Sequence, residues 1–205
     1  MTKSEGSFWD QRFDREDYVF GTAPNAFLRS HADRLQPGWR ALAVADGEGR
    51  NGVWMAERGL GVHAVEGSPV AIEKARRLAA GRGVSLEFEH ADLSDWTWPE
   101  AAYDVVVGIF IQFAPPPLRA TMFEGMKRAL KPGGLLLLEG YRPEQLVYRT
   151  GGPQNADHMY DEAMLREAFG DMEILELNAY DAVIEEGEGH SGMSALIDLV
   201  ARKRG

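Results

Sequence analysis

The chain has 205 residues, of which 44% are hydrophobic and 26% charged, a composition typical of one globular domain with a substantial core. Acidic residues outnumber basic ones by 32 to 22. The formal net charge is therefore -10, and the chain lacks the surplus of basic residues that a general nucleic-acid-binding protein needs. The absence of cysteine excludes disulfides, thiolate metal sites and a cysteine nucleophile.

The apolar stretches of the sequence are short. The longest, near residues 105–113 and 135–138, have the length of strands and are too short to span a bilayer. The polar residues 1–5 do not lead into the apolar core of a signal peptide. We therefore expect a single domain over residues 1–205, located in the cytoplasm and without a membrane partner.

An aromatic segment and a helix precede the main pattern. Residues 7–20 are rich in Phe, Trp and Tyr, and a helix is predicted from Pro24 or Asn25 to Leu35. We expect residues 1–36 to form a helical lid segment on a core of residues 37–205. From residue 41 the pattern predicts strands at 41–45, 62–66, 84–89, 103–110, 135–139, 173–180 and 195–203, and helices at 51–58, 69–80, 116–130 and 161–169.

This alternation predicts an α/β fold, a Rossmann-like, doubly wound, mostly parallel sheet of seven strands. The last two strands flank the loop at residues 185–192 and are expected to form a C-terminal antiparallel hairpin. Nicotinamide-binding folds do not usually end in such a hairpin.

A glycine-rich loop follows the first predicted strand and opens a helix. Its sequence, residues 47–52 (GEGRNG), lets the backbone turn sharply and presents the N–H groups of a helix N-terminus to a ligand. Glu66 lies 19 residues after Gly47, at the end of the second predicted strand, where a carboxylate can accept hydrogen bonds from both hydroxyls of a ribose. A plain turn and a surface glutamate are the alternative interpretations.

Further segments carry a resemblance to a known family. Residues 91–93 (ADL), 103–107 (YDVVV) and 129–135 (ALKPGGL), in this order after the glycine loop, resemble class I S-adenosylmethionine-dependent methyltransferases. The resemblance covers residues 41–139 and implies S-adenosylmethionine as cofactor and S-adenosylhomocysteine as product. The expected cofactor-binding residues are Asp46, Gly47, Glu48, Gly49, Asn51, Glu66, Gly67, Ser68, Asp92, Leu93 and Gly108.

Within that family, residues 8–13, 18–25, 49–51 and 54–59 resemble the tellurite-resistance-type branch of small-molecule methyltransferases. The chain also departs from the family pattern. The acidic residue near the end of the first strand and the first glycine of the loop are here Ala43 and Ala45. Asp46 and Glu48, inside the loop, are candidates to replace the missing acidic residue electrostatically. Because of this departure, the sequence does not determine which residues surround the methionine moiety.

Four residues are candidates on the acceptor side. Tyr141 follows the fifth predicted strand, where ligands of α/β sheets usually bind, and His190 lies in a glycine-flanked loop as a candidate general base. Arg142 and Glu144 are adjacent candidates, whereas an exposed loop histidine is an alternative interpretation of His190. The spacing of His, Asp and Glu indicates no metal site.

The sequence therefore predicts an enzyme that transfers a methyl group from S-adenosylmethionine to a small-molecule acceptor, with thiols and chalcogen compounds among the acceptors considered. A nicotinamide-dependent oxidoreductase and a non-catalytic S-adenosylmethionine-binding module are the alternatives. The acceptor's identity and the oligomeric state are not readable from the sequence.

Overall fold

The structure is a computed structural model that describes residues 3–205, with side chains from residue 8 onward, so the first two residues of the expected lid segment lie outside it. None of the helices among these residues is long and apolar enough to cross a membrane. The helices are α1 (Lys3–Phe13), α2 (Ala26–Ser30), α3 (Arg50–Glu57), α4 (Pro69–Gly81), α5 (Pro116–Ala129), α6 (Gln145–Tyr148) and α7 (Glu162–Ala168), with 3-10 turns at Ala32–Arg34 and Ala156–His158. The strands are β1 (Arg40–Val44), β2 (Gly61–Glu66), β3 (Glu87–His90), β4 (Tyr103–Ile109), β5 (Leu130–Tyr141), β6 (Glu173–Glu185) and β7 (Ser191–Arg202).

The seven strands of residues 3–205 follow the order β3-β2-β1-β4-β5-β7-β6. Strands β1, β2 and β3 pair in parallel, as do β4 and β5, whereas β7 runs antiparallel to both β5 and β6. The predicted fold class, a mostly parallel Rossmann-like sheet with a C-terminal antiparallel hairpin, is confirmed. Strand β7 lies between β5 and β6, which differs from the 3-2-1-4-5-6 order of dinucleotide-binding folds.

One compact unit comprises residues 3–97 together with Glu186–Gly189. Its strand β1 is buried from Ala41 to Val44, as expected of a parallel strand covered on both faces. Helix α4 begins as the sequence predicts: the Ser68 hydroxyl accepts a hydrogen bond from the Ala71 N–H at 3.2 Å, and Pro69 occupies the first turn.

The other unit comprises residues 98–185 and 190–205. The apolar runs of β4 and β5 form its core, with Val105, Val106, Leu136 and Leu137 almost fully buried. Met122 and Met126 of α5 are buried as well. The four-residue spacing of these two methionines thus marks a packed face of α5.

Five predicted boundaries were wrong by three residues or more. In the hairpin, β6 extends to Glu185 and not to residue 180, and β7 begins at Ser191 and not at residue 195. The helix predicted to reach Leu35 ends at Ser30 and continues as a 3-10 turn, and β3 begins at Glu87 and not at residue 84. Strand β5 begins at Leu130, before the predicted helix stop at 131–134. Leu130 pairs with Tyr103 and Leu135 with Val105, so the intervening turn is an irregularity inside the strand.

Candidate functional site

The glycine loop between β1 and α3 takes a conformation that favours glycine at three positions. Ala45, Gly47 and Gly49 have φ angles of 49°, 58° and 89°. A side chain at Gly49 would bring its Cβ within 2.6 Å of the Ala75 Cβ, so glycine is required there for packing against α4. Helix α3 starts directly after the loop, so the positive end of its dipole lies at the loop and favours an anionic or polar ligand there.

Glu66 ends β2 with its carboxylate against this loop. Its Oε2 accepts a hydrogen bond from the Gly47 N–H at 2.9 Å, and its Oε1 accepts one from the Ser68 N–H at 2.8 Å. Burial raises the pKa of the Glu66 carboxyl, and these backbone donors oppose the rise. The spacing of 19 residues therefore brings the acid and the first loop glycine into direct contact.

Asp46 is enclosed by the loop that it belongs to. Both carboxylate oxygens accept from the Gly52 N–H, at 3.0 and 3.2 Å, and a side chain at Gly52 would overlap this carboxylate. Burial raises the pKa of Asp46 to about 7, with the Gly52 N–H opposing the shift and the nearby Glu66 adding to it.

The raised pKa of Asp46 makes stability depend on pH. Because the folded state binds this proton more tightly than the unfolded chain, the free energy of unfolding should fall as pH rises from about 4 to about 7. Asp46→Asn removes this contribution. The difference in the free energy of unfolding between the variant and wild type should therefore be about 2–3 kcal/mol larger at pH 8 than at pH 5, at 1.36 kcal/mol per pKa unit. Urea unfolding of both proteins at the two pH values measures the gain, and an equal difference at both would contradict the assignment.

Ala45 occupies the position where the family pattern has its first glycine, and it retains the left-handed backbone. Such a conformation costs an L-residue roughly 1–2 kcal/mol. Ala45→Gly should therefore raise the free energy of unfolding by up to about 1 kcal/mol after the entropy of glycine is subtracted. Ala43→Gly, in the buried strand β1, is the matched control and should destabilise instead. Urea denaturation distinguishes the two, and a loss of stability in Ala45→Gly would show that the loop is not strained there.

Glu48 and Asn51, which were expected to bind cofactor, have other contacts in the structure. The Glu48 carboxylate forms a buried ion pair with Lys74, Nζ to Oε1 at 2.5 Å. The Asn51 Oδ1 accepts from the Asn25 N–H at 2.9 Å, at the start of α2. Both side chains thus connect the glycine loop to neighbouring segments. Their role toward a cofactor stays a prediction.

The other expected cofactor residues divide between the two units. In the first, the Gly67 carbonyl lies 3.1 Å from the His90 Nε2, and Asp92 accepts from the Ser94 N–H at 2.9 Å. Leu93 is buried. In the second, Gly108 is enclosed by Met126, Ile111 and Leu138, where an added Cβ would lie 2.8–3.3 Å from their side chains.

The acceptor-side candidates lie in an aromatic cluster of the second unit. The rings of Phe110 and Tyr141 are 4.6 Å apart, and His190 lies 4.2 Å from Phe110 and 5.6 Å from Tyr141. Phe110 directly follows β4 and His190 directly precedes β7, whereas Tyr141, which was expected after the fifth strand, is the last residue of β5. Phe110 was not predicted from the sequence. Its φ of 55° places a bulky residue in the left-handed region, which is often associated with functional sites.

Arg142 and Tyr148 serve the packing of this unit. The Arg142 guanidinium pairs with Asp181 and donates to the Leu196 carbonyl at 3.1 Å. The Tyr148 hydroxyl donates to Asp181 at 2.7 Å. Arg142 also lies 3.6 Å from the Glu144 carboxylate. These contacts occupy the guanidinium of Arg142, which the sequence analysis gave as an acceptor-side candidate.

The tip of the β6–β7 hairpin, Glu186–Gly189, belongs to the first unit and is held there by several contacts. The Glu186 carboxylate forms a buried ion pair with Arg50 at 2.7 Å and accepts from the Ala26 N–H at 2.9 Å. The Gly189 N–H donates to the Val19 carbonyl at 3.0 Å. The glycines of this loop therefore allow close packing. His190, which follows the tip, is 7% exposed, so it is not an exposed loop histidine.

The residues of the first unit fit S-adenosylmethionine. A Cβ built on Gly47 would meet the Phe13 ring at 3.7 Å and no other atom within 4 Å, so a ligand can approach the loop backbone beside this ring. Glu66 contacts that loop and offers carboxylate oxygens to ribose hydroxyls. Asp92, after β3, stands where the family pattern has its adenine-binding acid.

This fold and this arrangement are similar to those of class I S-adenosylmethionine-dependent methyltransferases. Residues 41–134 match the family model described as a methyltransferase domain. A phosphoethanolamine N-methyltransferase of Triticum aestivum is 34% identical over 114 residues, 52% of this chain and 21% of that protein. A tRNA (uracil(54)-C(5))-methyltransferase of Pyrococcus abyssi is 26% identical over 192 residues, 84% of this chain and 43% of that protein. The chain thus spans less than half the length of either relative.

Solved structures share the fold over nearly the whole chain. TehB from Haemophilus influenzae matches with a TM-score of 0.74 and 18% identity, covering 98% of this chain and 67% of TehB. A structure titled for the conversion of a disulfide bond into a thioacetal group during echinomycin biosynthesis matches with a TM-score of 0.77 and 19% identity. The match covers 100% of this chain and 92% of that chain. At these identities the likeness shows the fold alone.

Proposed function

We propose that the chain transfers a methyl group from S-adenosylmethionine to a small-molecule acceptor. The observation that carries the proposal is the contact between the Glu66 carboxylate and the Gly47 N–H within a methyltransferase domain. An acid proposed to bind the ribose then lies beside the glycine loop and a helix N-terminus.

A small molecule is favoured over a nucleic acid by the charge of the chain. A protein that binds RNA through its phosphates needs a basic surface, and this chain carries a formal charge of -10. The relatives include enzymes named for phosphoethanolamine and for RNA uracil, so similarity alone does not select the acceptor. An RNA acceptor is the second outcome that the experiments must separate.

A thiol or chalcogen acceptor is the narrower proposal. It is supported by the resemblance of residues 49–51 and 54–59 to the tellurite-resistance-type branch and by the fold shared with TehB. A soft, ionised acceptor can react without a general base, so the protein only has to bind and orient it.

When bound, S-adenosylmethionine supplies a methyl group activated by its positively charged sulfur. The residues of the chain mainly hold and orient, which can contribute roughly 7–11 kcal/mol to such reactions at best. We assign Glu66 and Asp92 to the nucleoside and the glycine loop to the methionine moiety. Tyr141 and Phe110 would orient the acceptor, and the His190 imidazole would accept a proton from a hydroxyl or amine acceptor.

Calorimetric titration with S-adenosylmethionine, S-adenosylhomocysteine and NAD separates this proposal from a nicotinamide-dependent oxidoreductase. The first two ligands should bind with a stoichiometry of one and NAD should not. Binding of NAD alone would contradict the proposal. Binding of S-adenosylmethionine without turnover on any acceptor would favour the non-catalytic module.

A further inference from the structure

Lys74 is a charged residue on the buried side of α4. Its neighbours on that side, Ala71, Ala75 and Leu78, are apolar and buried, and Lys74 itself is 1% exposed. A buried ammonium is costly unless several acceptors surround it. Lys74 is not among the residues proposed to bind the cofactor or the acceptor.

Four oxygens surround the Lys74 ammonium. One belongs to the Glu48 carboxylate of the glycine loop, at 2.5 Å. The other three are backbone carbonyls at the end of α1 and just after it, those of Phe13, Arg15 and Asp17, at 3.3, 3.0 and 2.6 Å. A single side chain thus contacts both the glycine loop and the N-terminal segment.

The N-terminal segment, residues 13–20, is held at the same place by further contacts. The Tyr18 hydroxyl donates to the Lys74 carbonyl at 3.0 Å, and the Phe20 N–H donates to the Glu48 Oε2 at 3.4 Å. Phe13 and Val19 form a small apolar cluster with Ala71. The Phe13 ring also lies over Gly47, as described above. The segment therefore covers the glycine loop.

We propose that Lys74 is a positioning residue that fastens the N-terminal segment over the glycine loop, so that closure of the segment and the conformation of the loop are coupled. This rests on the proposed function, because the loop is the assigned cofactor site. If the segment moved away, the ammonium would lose three carbonyl acceptors while remaining beside Glu48. The buried charge therefore favours the closed arrangement and slows the escape of a bound cofactor.

The test compares Lys74→Met and Glu48→Gln with wild type by hydrogen exchange, each with and without S-adenosylhomocysteine. Arg77→Met is the matched control, since it removes one charge from an exposed position on the same helix. In Lys74→Met, amide exchange over residues 13–21 should accelerate at least about tenfold while β4 and β5 keep their protection. Arg77→Met should behave as wild type.

Kinetics supply a second readout that a purely structural role would not give. In Lys74→Met the KM for S-adenosylmethionine should rise at least about tenfold while kcat at saturation changes less than about threefold, because the reacting groups are untouched. The Lys74→Met/Glu48→Gln double variant should be no worse than Lys74→Met alone, since it removes both buried charges. Additive losses in the double variant would contradict the coupling.

Unchanged exchange over residues 13–21 in Lys74→Met would overturn the proposal, as would an equal acceleration throughout the chain. If Lys74→Met does not fold, Glu48→Gln is judged by the same criterion. The glutamine oxygen can still accept a hydrogen bond from Lys74 or from the Phe20 N–H, but the ion pair is lost. If wild type fails to bind S-adenosylmethionine, the proposed function is wrong. The exchange experiment without ligand still decides whether Lys74 fastens the segment.

Discussion

Replacement of His190 by alanine should lower kcat about a hundredfold when the acceptor is a hydroxyl or an amine, because this is the usual contribution of a positioned general base. With a thiolate or selenolate acceptor, which is already ionised, the same change should cost less than about tenfold. The comparison across acceptors separates proton transfer from packing, since lost packing would affect every acceptor alike.

The position of His190 requires a control that preserves its surroundings. The ring lies edge-on to Phe110 and Tyr141, so alanine leaves a gap in the aromatic cluster. His190→Gln fills more of that space without supplying a base and should be as slow as His190→Ala on a hydroxyl or amine. Wild-type activity should rise with pH as the imidazole loses its proton, and both variants should lack this rise. An unchanged pH profile in the variants would remove His190 from the reaction.

Glu66→Ala should weaken S-adenosylmethionine binding at least tenfold. Each hydrogen bond from a ribose hydroxyl to the carboxylate is worth roughly 1.5–3 kcal/mol, and two are lost. The effect has a second source, because the same carboxylate holds the Gly47 and Ser68 N–H groups in place.

Two variants distinguish these sources of the Glu66 effect. Glu66→Gln keeps a polar group in contact with the loop but removes the charge, and we expect an affinity between those of wild type and Glu66→Ala. Glu73→Ala, at an exposed position on α4, is the matched control and should bind as wild type does. Calorimetric titration measures all four proteins. An affinity of Glu66→Ala equal to that of wild type, with an unchanged melting temperature, would exclude Glu66 from the cofactor site.

The features predicted correctly from the sequence are those set by local rules. The N-caps at Ser68 and Asp161 follow from a short polar side chain before a helix, and both accept the expected backbone N–H. The contact of Glu66 with the glycine loop follows from spacing, because parallel strands bring their carboxyl ends to one edge of the sheet. The alternating pattern predicted the order of the strands and of the helices between them, but it missed the short helix α6 and the 3-10 turn at Ala156–His158 and misplaced several element ends.

The features missed depend on contacts between distant parts of the chain. Glu186 lies 160 residues from Ala26, to whose N–H it binds, and nothing near it in the sequence indicates that partner. Lys74 did carry a signal, a lone charge on the apolar face of a predicted helix, which indicates a buried ion pair. The left-handed conformation of Phe110 had no sequence signal, since turns at this point favour glycine or asparagine.

The most direct test of the account is transfer of a labelled methyl group from S-adenosylmethionine to a panel of acceptors containing thiols, selenium and tellurium oxyanions, phenols, amines and an RNA transcript. S-adenosylhomocysteine release is measured in parallel. The account predicts that label appears on a small molecule, and the narrower proposal predicts a thiol or chalcogen compound, with release of S-adenosylhomocysteine in equal amount. Label on the RNA alone, or no S-adenosylhomocysteine release with any acceptor by a protein that binds S-adenosylmethionine, would contradict it.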